Sequence, residues 1–319
     1  MRIVMFGTGP FAVPTFKSLL DSDHEVVALF TRPIADGGKR RKTSENPTRD
    51  AGQAAGLPIF APMNVNDDDS VAQLQSIDAD LFVVCDYGQI LSRECLGAAK
   101  LGGINLHGSL LPKYRGAAPI NWAIYNGDPV TGITIIHMTA RLDGGPCLVK
   151  AETKIGEQET AEEIEPRLAL LGVQPVHQAI SILTTWDGDS EIGEKQDQKL
   201  ATKAPRLKKS DGLIDWNRGA QDIVNQIRAF QPWPGSYSNW HSDSKKQPVR
   251  LIVHQALAVD SSAASVKPGQ VAVSSKDQLV IQTATGGLEI VMIQPAGKKP
   301  MPVADFLRGN PPQVGDQFA

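Results

Sequence analysis

The sequence predicts an α/β protein: a mainly parallel sheet with helical crossovers, followed by a smaller β-barrel. Three observations carry this. Short apolar runs alternate with polar or helical stretches as far as residue 184. A polar segment without apolar periodicity follows from 187 to 209, and beyond it strand-like runs recur at the close spacing of a small barrel. The size agrees, since 319 residues, 41% of them hydrophobic, correspond to two domains at roughly 150 residues each. The expected division is 1–205 and 206–319, with 187–209 as a basic linker region.

In chain order, strands are expected at 3–6, 26–30, 58–61, 81–85, 104–107 and 133–138. Such a sheet is Rossmann-like, and its ligands gather at the carboxyl ends of the strands. Thr160 followed by Glu163 forms a capping box, and Ile164, Leu168, Leu171, Ile180 and Leu183 continue at helical spacing, predicting a helix over 160–184 that Pro166 and Pro175 can kink. After the linker, Ala220, Ile223, Val224, Ile227 and Phe230 share one helical face, closed by Pro232 and Pro234. Strands at 249–253, 269–273, 279–282 and 288–293 then suit an OB-like barrel.

Composition excludes several classes. Three cysteines, Cys85, Cys95 and Cys147, are an odd number without metal-type pairing, which points to a reducing compartment and no metal site. No apolar run approaches the roughly 20 residues of a membrane span. The first strand begins almost at Met1, leaving no room for a leader, so a cytoplasmic protein is expected. The net charge of −3 excludes a uniformly basic nucleic-acid binder. That average hides a split: residues 1–205 carry 19 basic and 26 acidic side chains, residues 206–319 carry 13 and 9.

The loop Gly7-Thr8-Gly9-Pro10-Phe11-Ala12 sits between a strand and a helix, the context of a dinucleotide-binding glycine turn, so an NAD(P)-dependent oxidoreductase is one reading. The second strand ends Leu29-Phe30-Thr31-Arg32, without an acid for the ribose hydroxyls, and Pro10 removes a backbone donor. A tight turn needing glycine is the simpler reading.

Asn105, His107 and Asp143 are the informative polar residues. Two apart on a strand, Asn105 and His107 share one face, and Ile104 and Leu106 take the other. Asp143 follows in the turn Leu142-Asp-Gly-Gly-Pro146 and comes near the imidazole if the strands are adjacent. A carboxamide, an imidazole and a carboxylate suit acyl transfer to an amine. Asn105 and His107 can donate to the developing oxyanion, and Asp143 can favour the imidazolium and help move protons. Taken singly, each is more often structural: a strand-end Asn or His is usually a satisfied polar group, and an Asp before Gly-Gly usually a turn residue.

Residues 105–120, Asn-Leu-His-Gly-Ser-Leu-Leu-Pro-Lys-Tyr-Arg-Gly-Ala-Ala-Pro-Ile, with Asp143 downstream, resemble the signature of the 10-formyltetrahydrofolate-dependent formyltransferases. Phe-Gly-Thr at 6–8, Asp-Tyr-Gly-Gln-Ile-Leu at 86–91, Arg-Ala-Phe-Gln-Pro-Trp-Pro-Gly at 228–235 and Gln-Pro-Ala-Gly-Lys-Lys at 294–299 extend the likeness over essentially the whole chain. The last two are typical of members acting on tRNA. The resemblance implies formyl transfer from 10-formyltetrahydrofolate to the α-amine of methionyl initiator tRNA, without a metal and by a monomer. It implies Asn105, His107 and Asp143 as the catalytic group. It places Ser109, Leu110, Leu111 and Pro112, with a cis bond before Pro112, and Tyr87, Gly88, Gln89 and Ile90 around the folate. Two departures stand out. Family members often read Gly-Leu-Asp-Thr-Gly around the aspartate where this chain has Arg-Leu-Asp-Gly-Gly, and Gln231 stands where Asn is usual.

Between Arg32 and Arg49 lie six basic residues against two acids, and between Lys195 and Lys209 six against one. The resemblance makes the first stretch, with Arg32, Lys39, Arg40, Arg41 and Lys42, a loop that enters the acceptor stem. Lys203, Arg206, Lys208 and Lys209 would meet tRNA phosphates near the linker. Trp233 and Trp240 either stack on bases or pack, packing being commoner. Arg115 could hold a loop carbonyl or a phosphate. His24, His177, His241 and His254 show no partner in sequence, and His137 reads as a core or pocket-edge residue. The rival readings are a formyltransferase for an amino sugar or purine precursor, the oxidoreductase, and a non-catalytic tRNA-binding protein.

Overall fold

The computed structural model describes residues 1–34, 46–242, 247–261, 266–309 and 311–319. They form two compact units: 1–119 with 130–154 and 164–205, and 120–129 with 155–163 and 206–319.

The first unit is built on β1 (Arg2–Gly7), β2 (Glu25–Phe30), β3 (Ile59–Phe60), β4 (Leu81–Cys85), β5 (Gly103–His107), β6 (Arg115–Gly116), β7 (Val130–His137), β8 (Cys147–Lys154) and β9 (Lys203–Ala204). Seven strands form one sheet in the order β3-β2-β1-β4-β5-β7-β8. The first five run parallel, and β7 and β8 are antiparallel. β6 and β9 pair separately and in parallel. The helices as far as residue 184 are α1 (Val13–Leu20), α2 (Pro47–Ala54), α3 (Asp68–Ser76), α4 (Arg93–Leu96), α5 (Pro119–Tyr125), which after its first residue belongs to the second unit, α6 (Ala161–Leu171) and α7 (Val173–Thr184).

All five residues of β4 are buried, as expected of a central parallel strand covered on both faces. Phe6 stacks on Phe30 and meets Phe82 and Tyr87 edge-on, with ring centroids 5.0–5.2 Å apart. Each such fully buried side chain contributes about 1.5–3 kcal/mol. Local signals start the helices. Asn46 accepts from the Arg49 amide with Pro47 in the first turn, and Asp67 and Ser92 cap α3 and α4 in the same way. No helix among the described residues is long and apolar enough to cross a membrane.

The first six expected strands all form, most within a residue or two of the expected ends and β7 reaching back to Val130. The single helix expected over 160–184 is two, parted at Gly172 beside Leu171, the residue whose carbonyl the ring of Pro175 meets and leaves without its helical partner. A Cβ at 172 would lie 2.7 Å from the Leu106 side chain, so glycine lets the helices press on the back of β5. The edge strand β8 lies outside the expected set. Its alternating exposure and its Lys150, Glu152 and Lys154 make it read as polar chain.

The second unit contains β10 (Ser236–His241), β11 (Val249–Val259), β12 (Val271–Ser274), β13 (Leu279–Gln282), β14 (Gly287–Pro295), β15 (Met301–Pro302) and β16 (Gln317–Phe318), with α8 (Ala220–Ala229) and α9 (Val303–Gly309). The antiparallel order is β12-β13-β14-β11-β10-β16, with β15 beside β14. A bridge between Gln270 and Gln317 brings the two ends together into a nearly closed barrel. Ile223, Ile227, Leu251, Ile281, Ile293 and Phe318 are in its core. β10 escapes the apolar pattern because two of its inward residues are serines. Ser238 is buried and accepts from the Trp216 indole at 3.1 Å. Trp240 is buried, whereas Trp233 is 50% exposed between two cis prolines.

Candidate active site

β5 lies between β4 and β7, with Asn105 opposite Val84 and Ile136, and His107 opposite Thr134. Ile104 and Leu106 are buried on the other face. His107 is 5% exposed. Its Nε2 is 2.9 Å from the Tyr114 carbonyl oxygen. A carbonyl only accepts, so Nε2 carries a proton, and Nδ1 turns to Asp143 Oδ2 at 3.7 Å. The Asn105 carboxamide, half-buried at the same strand end, has no hydrogen-bond partner among the described residues.

Asp143 adopts a left-handed backbone, φ +47, which a short polar side chain tolerates. Its Oδ2 accepts from the Gly116 amide at 2.8 Å. A Cβ on Gly145 would lie 1.9 Å from the His137 carbonyl oxygen, whereas the nearest atoms to one on Gly144 would be those of the Arg141 side chain, from 2.7 Å. The departure from the family pattern therefore falls where a side chain can move aside, and the retained glycine falls where backbone leaves no room.

The turn after β5 is tied to β7. Thr134 donates to the Ser109 carbonyl and accepts from the Leu111 amide, at 2.7 and 3.0 Å. Ser109 is fully buried and donates to the Lys113 carbonyl, and Leu111 packs on Ile136 and Cys147. Leu110 and Pro112 are half-buried, and the Leu111–Pro112 bond is cis. In the loop after β4, Tyr87 is in the core and its hydroxyl has no partner among the described residues. Gly88 has φ +82, and a Cβ there would lie 2.8 Å from the Arg32 guanidinium, which donates to the Gly88 carbonyl. Gln89 accepts from the Val65 amide and donates to the Pro62 carbonyl, leaving Ile90 60% exposed.

The glycine turn after β1 is explained by contacts within the chain. A Cβ on Gly7 would crowd Ala12, and one on Gly9 would lie 1.9 Å from the Asp86 carboxylate. A carboxylate pressed on this loop repels a pyrophosphate, which argues against the dinucleotide reading.

Lys39, Arg40, Arg41 and Lys42 lie outside the described residues. Lys203, Arg206, Lys208 and Lys209 are all exposed. The stretch expected as linker is not free chain over 194–204. Glu194 exchanges both backbone hydrogen bonds with Cys147, Arg115 donates to Thr202, and Ala117 donates to Ala204. Arg115 holds the side-chain oxygens of Gln196 and Gln198, not a loop carbonyl. Sequence reasoning missed the Tyr114 carbonyl, the Gly116 amide, Gln196 and Thr202, for a polar strap and a polar linker have the same composition.

Other histidines do find partners. His24 stacks on His177, which bonds Ser18, and His254 bonds Gln294. His137 bonds the Leu101 carbonyl and packs edge-on against Trp186. All three cysteines are buried and unpaired. Burial pushes the Cys147 thiol up, Cys95 to about 12 and Cys85 well above its ordinary range, so none supplies a thiolate nucleophile near neutral pH.

Residues 1–180 match the formyl transferase family and residues 206–311 match the formyl transferase C-terminal domain. The chain belongs to the formyl transferase family. A methionyl-tRNA formyltransferase of Rhodopirellula baltica is 41% identical, covering 100% of this chain and 96% of its own length. One from Citrifermentans bemidjiense is 38% identical over 99% and 95%. Among solved structures, an N-formyltransferase from Helicobacter canadensis in complex with folinic acid and dTDP-3-aminofucose superposes with a TM-score of 0.65 at 15% identity, covering 91% of this chain and 98% of its own. At that identity the likeness establishes the fold. In this formyl transferase the Ser109 hydroxyl is spent on its own turn and the thiols are buried, while the His107 imidazole and the Asp143 carboxylate face each other.

Proposed function

We propose that this formyl transferase moves the formyl group of 10-formyltetrahydrofolate to the α-amine of methionine esterified to initiator tRNA. The observation that carries the reading is the grouping of His107 and Asp143 beside the unengaged carboxamide of Asn105, in a chain whose full-length relatives are named methionyl-tRNA formyltransferase.

Asn105 donates to the formyl oxygen as the amine attacks the formyl carbon and the carbonyl electron pair moves onto that oxygen. His107, held at Nε2 by Tyr114, presents Nδ1 to the reaction. Asp143 keeps one oxygen on the Gly116 amide and accepts the proton released by the attacking amine. The bond from the formyl carbon to the folate nitrogen then breaks, and the same proton passes to that nitrogen. Exposed Ile90 and half-buried Leu110 and Pro112 offer apolar side chains to the folate substrate. Tyr87, Gln89, Ser109 and Leu111 support these loops from beneath. Lys203, Arg206, Lys208 and Lys209 are exposed and in no ion pair among the described residues, which suits phosphate contacts; Arg32, bonded to the Gly88 carbonyl, is a further candidate for tRNA contact. The enzyme acts as a monomer in the cytoplasm.

The test is incubation with 10-formyltetrahydrofolate and methionyl initiator tRNA, followed by assay for formylmethionyl-tRNA. Formylation of a small amine such as an amino sugar, with none on the tRNA, would sink the proposal.

A further inference from the structure

We infer that Gln196 and Thr202 are positioning residues that lock the tautomer-setting carbonyl of His107 and the carboxylate of Asp143. The inference rests on the proposed roles of those two residues. Gln196 spends its whole carboxamide on the site. Its Nε2 donates to the carbonyls of Asp143 and Gly145 at 2.8 and 2.7 Å, and its Oε1 accepts from Arg115 Nε at 3.0 Å. Arg115 directly precedes Gly116, whose amide holds Asp143 Oδ2. The backbone of the aspartate turn and the tip of its side chain are thus anchored to the same strand, one through Gln196 and one directly.

Thr202 does the same for the histidine. Its Oγ1 accepts from the Tyr114 amide at 2.9 Å, and its carbonyl accepts from the Arg115 amide at 2.9 Å. Tyr114 has φ +63, a conformation that a bulky residue holds only when neighbours over-determine it. Its carbonyl is the partner of His107 Nε2. The Tyr114 amide is on the peptide before this residue and the Arg115 amide on the peptide after it, so losing the Thr202 hydroxyl removes one of the two restraints on this φ and lets the carbonyl that faces the ring turn. One short strap, 196–202, therefore fixes both reacting side chains without carrying a reacting group. A misplacement of about 1 Å at such groups can cost on the order of a hundredfold in rate.

Four variants test this in the full-length enzyme with 10-formyltetrahydrofolate and methionyl initiator tRNA; wild-type turnover, measured first, tests the proposed function separately. Thr202→Val keeps the shape and removes the hydroxyl, and Gln196→Leu removes the carboxamide. Each is expected to lower kcat about tenfold or more while both KM values stay within about twofold. Thr202→Ser restores the acceptor and is expected to restore kcat. In an Asp143→Asn background, Gln196→Leu is expected to cost less than about twofold more, because linked residues are not additive. A rise in KM at constant kcat, equal behaviour of Thr202→Val and Thr202→Ser, or full additivity with Asp143→Asn would each overturn the inference. The Thr202 pair stays decisive even if Gln196→Leu does not fold.

Discussion

Nε2 of His107 lies 2.9 Å from the carbonyl oxygen of Tyr114, seven residues along the chain. That hydrogen bond assigns the two ring nitrogens different work. One is a fixed donor to backbone, and the other is left to Asp143 and to whatever is bound beside it. A ring tethered in this way cannot swing between roles, so its chemistry is set before substrate arrives.

Removing either partner should therefore act on turnover. His107→Ala and Asp143→Asn are each expected to lower kcat by at least about a hundredfold, the scale of a missing charge-stabilising or acid/base group. Steady-state formylation kinetics with thermal melts as a folding control check this; near-normal kcat in either variant removes it from the catalytic group.

The aspartate turn offers a steric contrast between adjacent glycines. Gly145→Ala is expected to cut both activity and thermal stability, since its Cβ would lie 1.9 Å from the His137 carbonyl oxygen. Gly144→Ala, whose nearest atoms would be those of the Arg141 side chain, is expected to change stability by less than about 1 kcal/mol, as surface substitutions usually do. Denaturant melts of the two variants decide, and equal losses would refute the backbone argument.

Exposed lysines at 203, 208 and 209 give a salt-dependent prediction. Their replacement by Ala should raise the KM for tRNA and leave that for the folate unchanged. It should also reduce the slope of log affinity against log salt by about 0.7–0.9 for each phosphate that is no longer neutralised. Filter binding of the tRNA across a salt series measures the slope, and an unaltered slope excludes these residues from the interface.

Acid should weaken the first unit through Asp80. The Arg2 amide at 2.7 Å, and after it the Lys100 ammonium at 3.0 Å, hold this carboxyl below its usual range. A carboxyl depressed on folding stabilises above its unfolded value near pH 4, and the contribution fades as pH falls through the lower folded value. Asp80→Asn is expected to cost about 1 kcal/mol at pH 7, a difference that closes in strong acid. Denaturation midpoints from pH 7 down to pH 2 report it, and a gap independent of pH would assign the loss to packing instead.

Much of this architecture is legible in the sequence because its signals are local. The apolar runs of β1, β4 and β5 and the capping box of Thr160 and Glu163 before α6 need no tertiary context. Asn105 and His107 are readable for the same reason, sharing a strand face by simple alternation. Features that depend on distant partners are not. Gly172 has no room for a side chain because of Leu106, 66 positions earlier, and Gln196 bonds a turn 51–53 positions away. Nothing in the neighbourhood of Gln196, between Lys195 and Asp197, marks it as different from a solvated glutamine. The βα turn at Gly9 shows the reverse case: a motif suggested a ligand, and a carboxylate of the chain itself accounts for the glycine.

The strap from Gln196 to Ala204 also sets the order in which a newly made chain becomes competent. Asn105, His107 and Asp143 leave the ribosome long before it, yet the Tyr114 amide and the carbonyls of the aspartate turn receive these partners only once residue 202 has emerged. The strap also lies beyond residues 1–180, which match the formyl transferase family, so a chain cut at that boundary would keep Asn105, His107 and Asp143 and lose the partners of Tyr114 and of the aspartate turn.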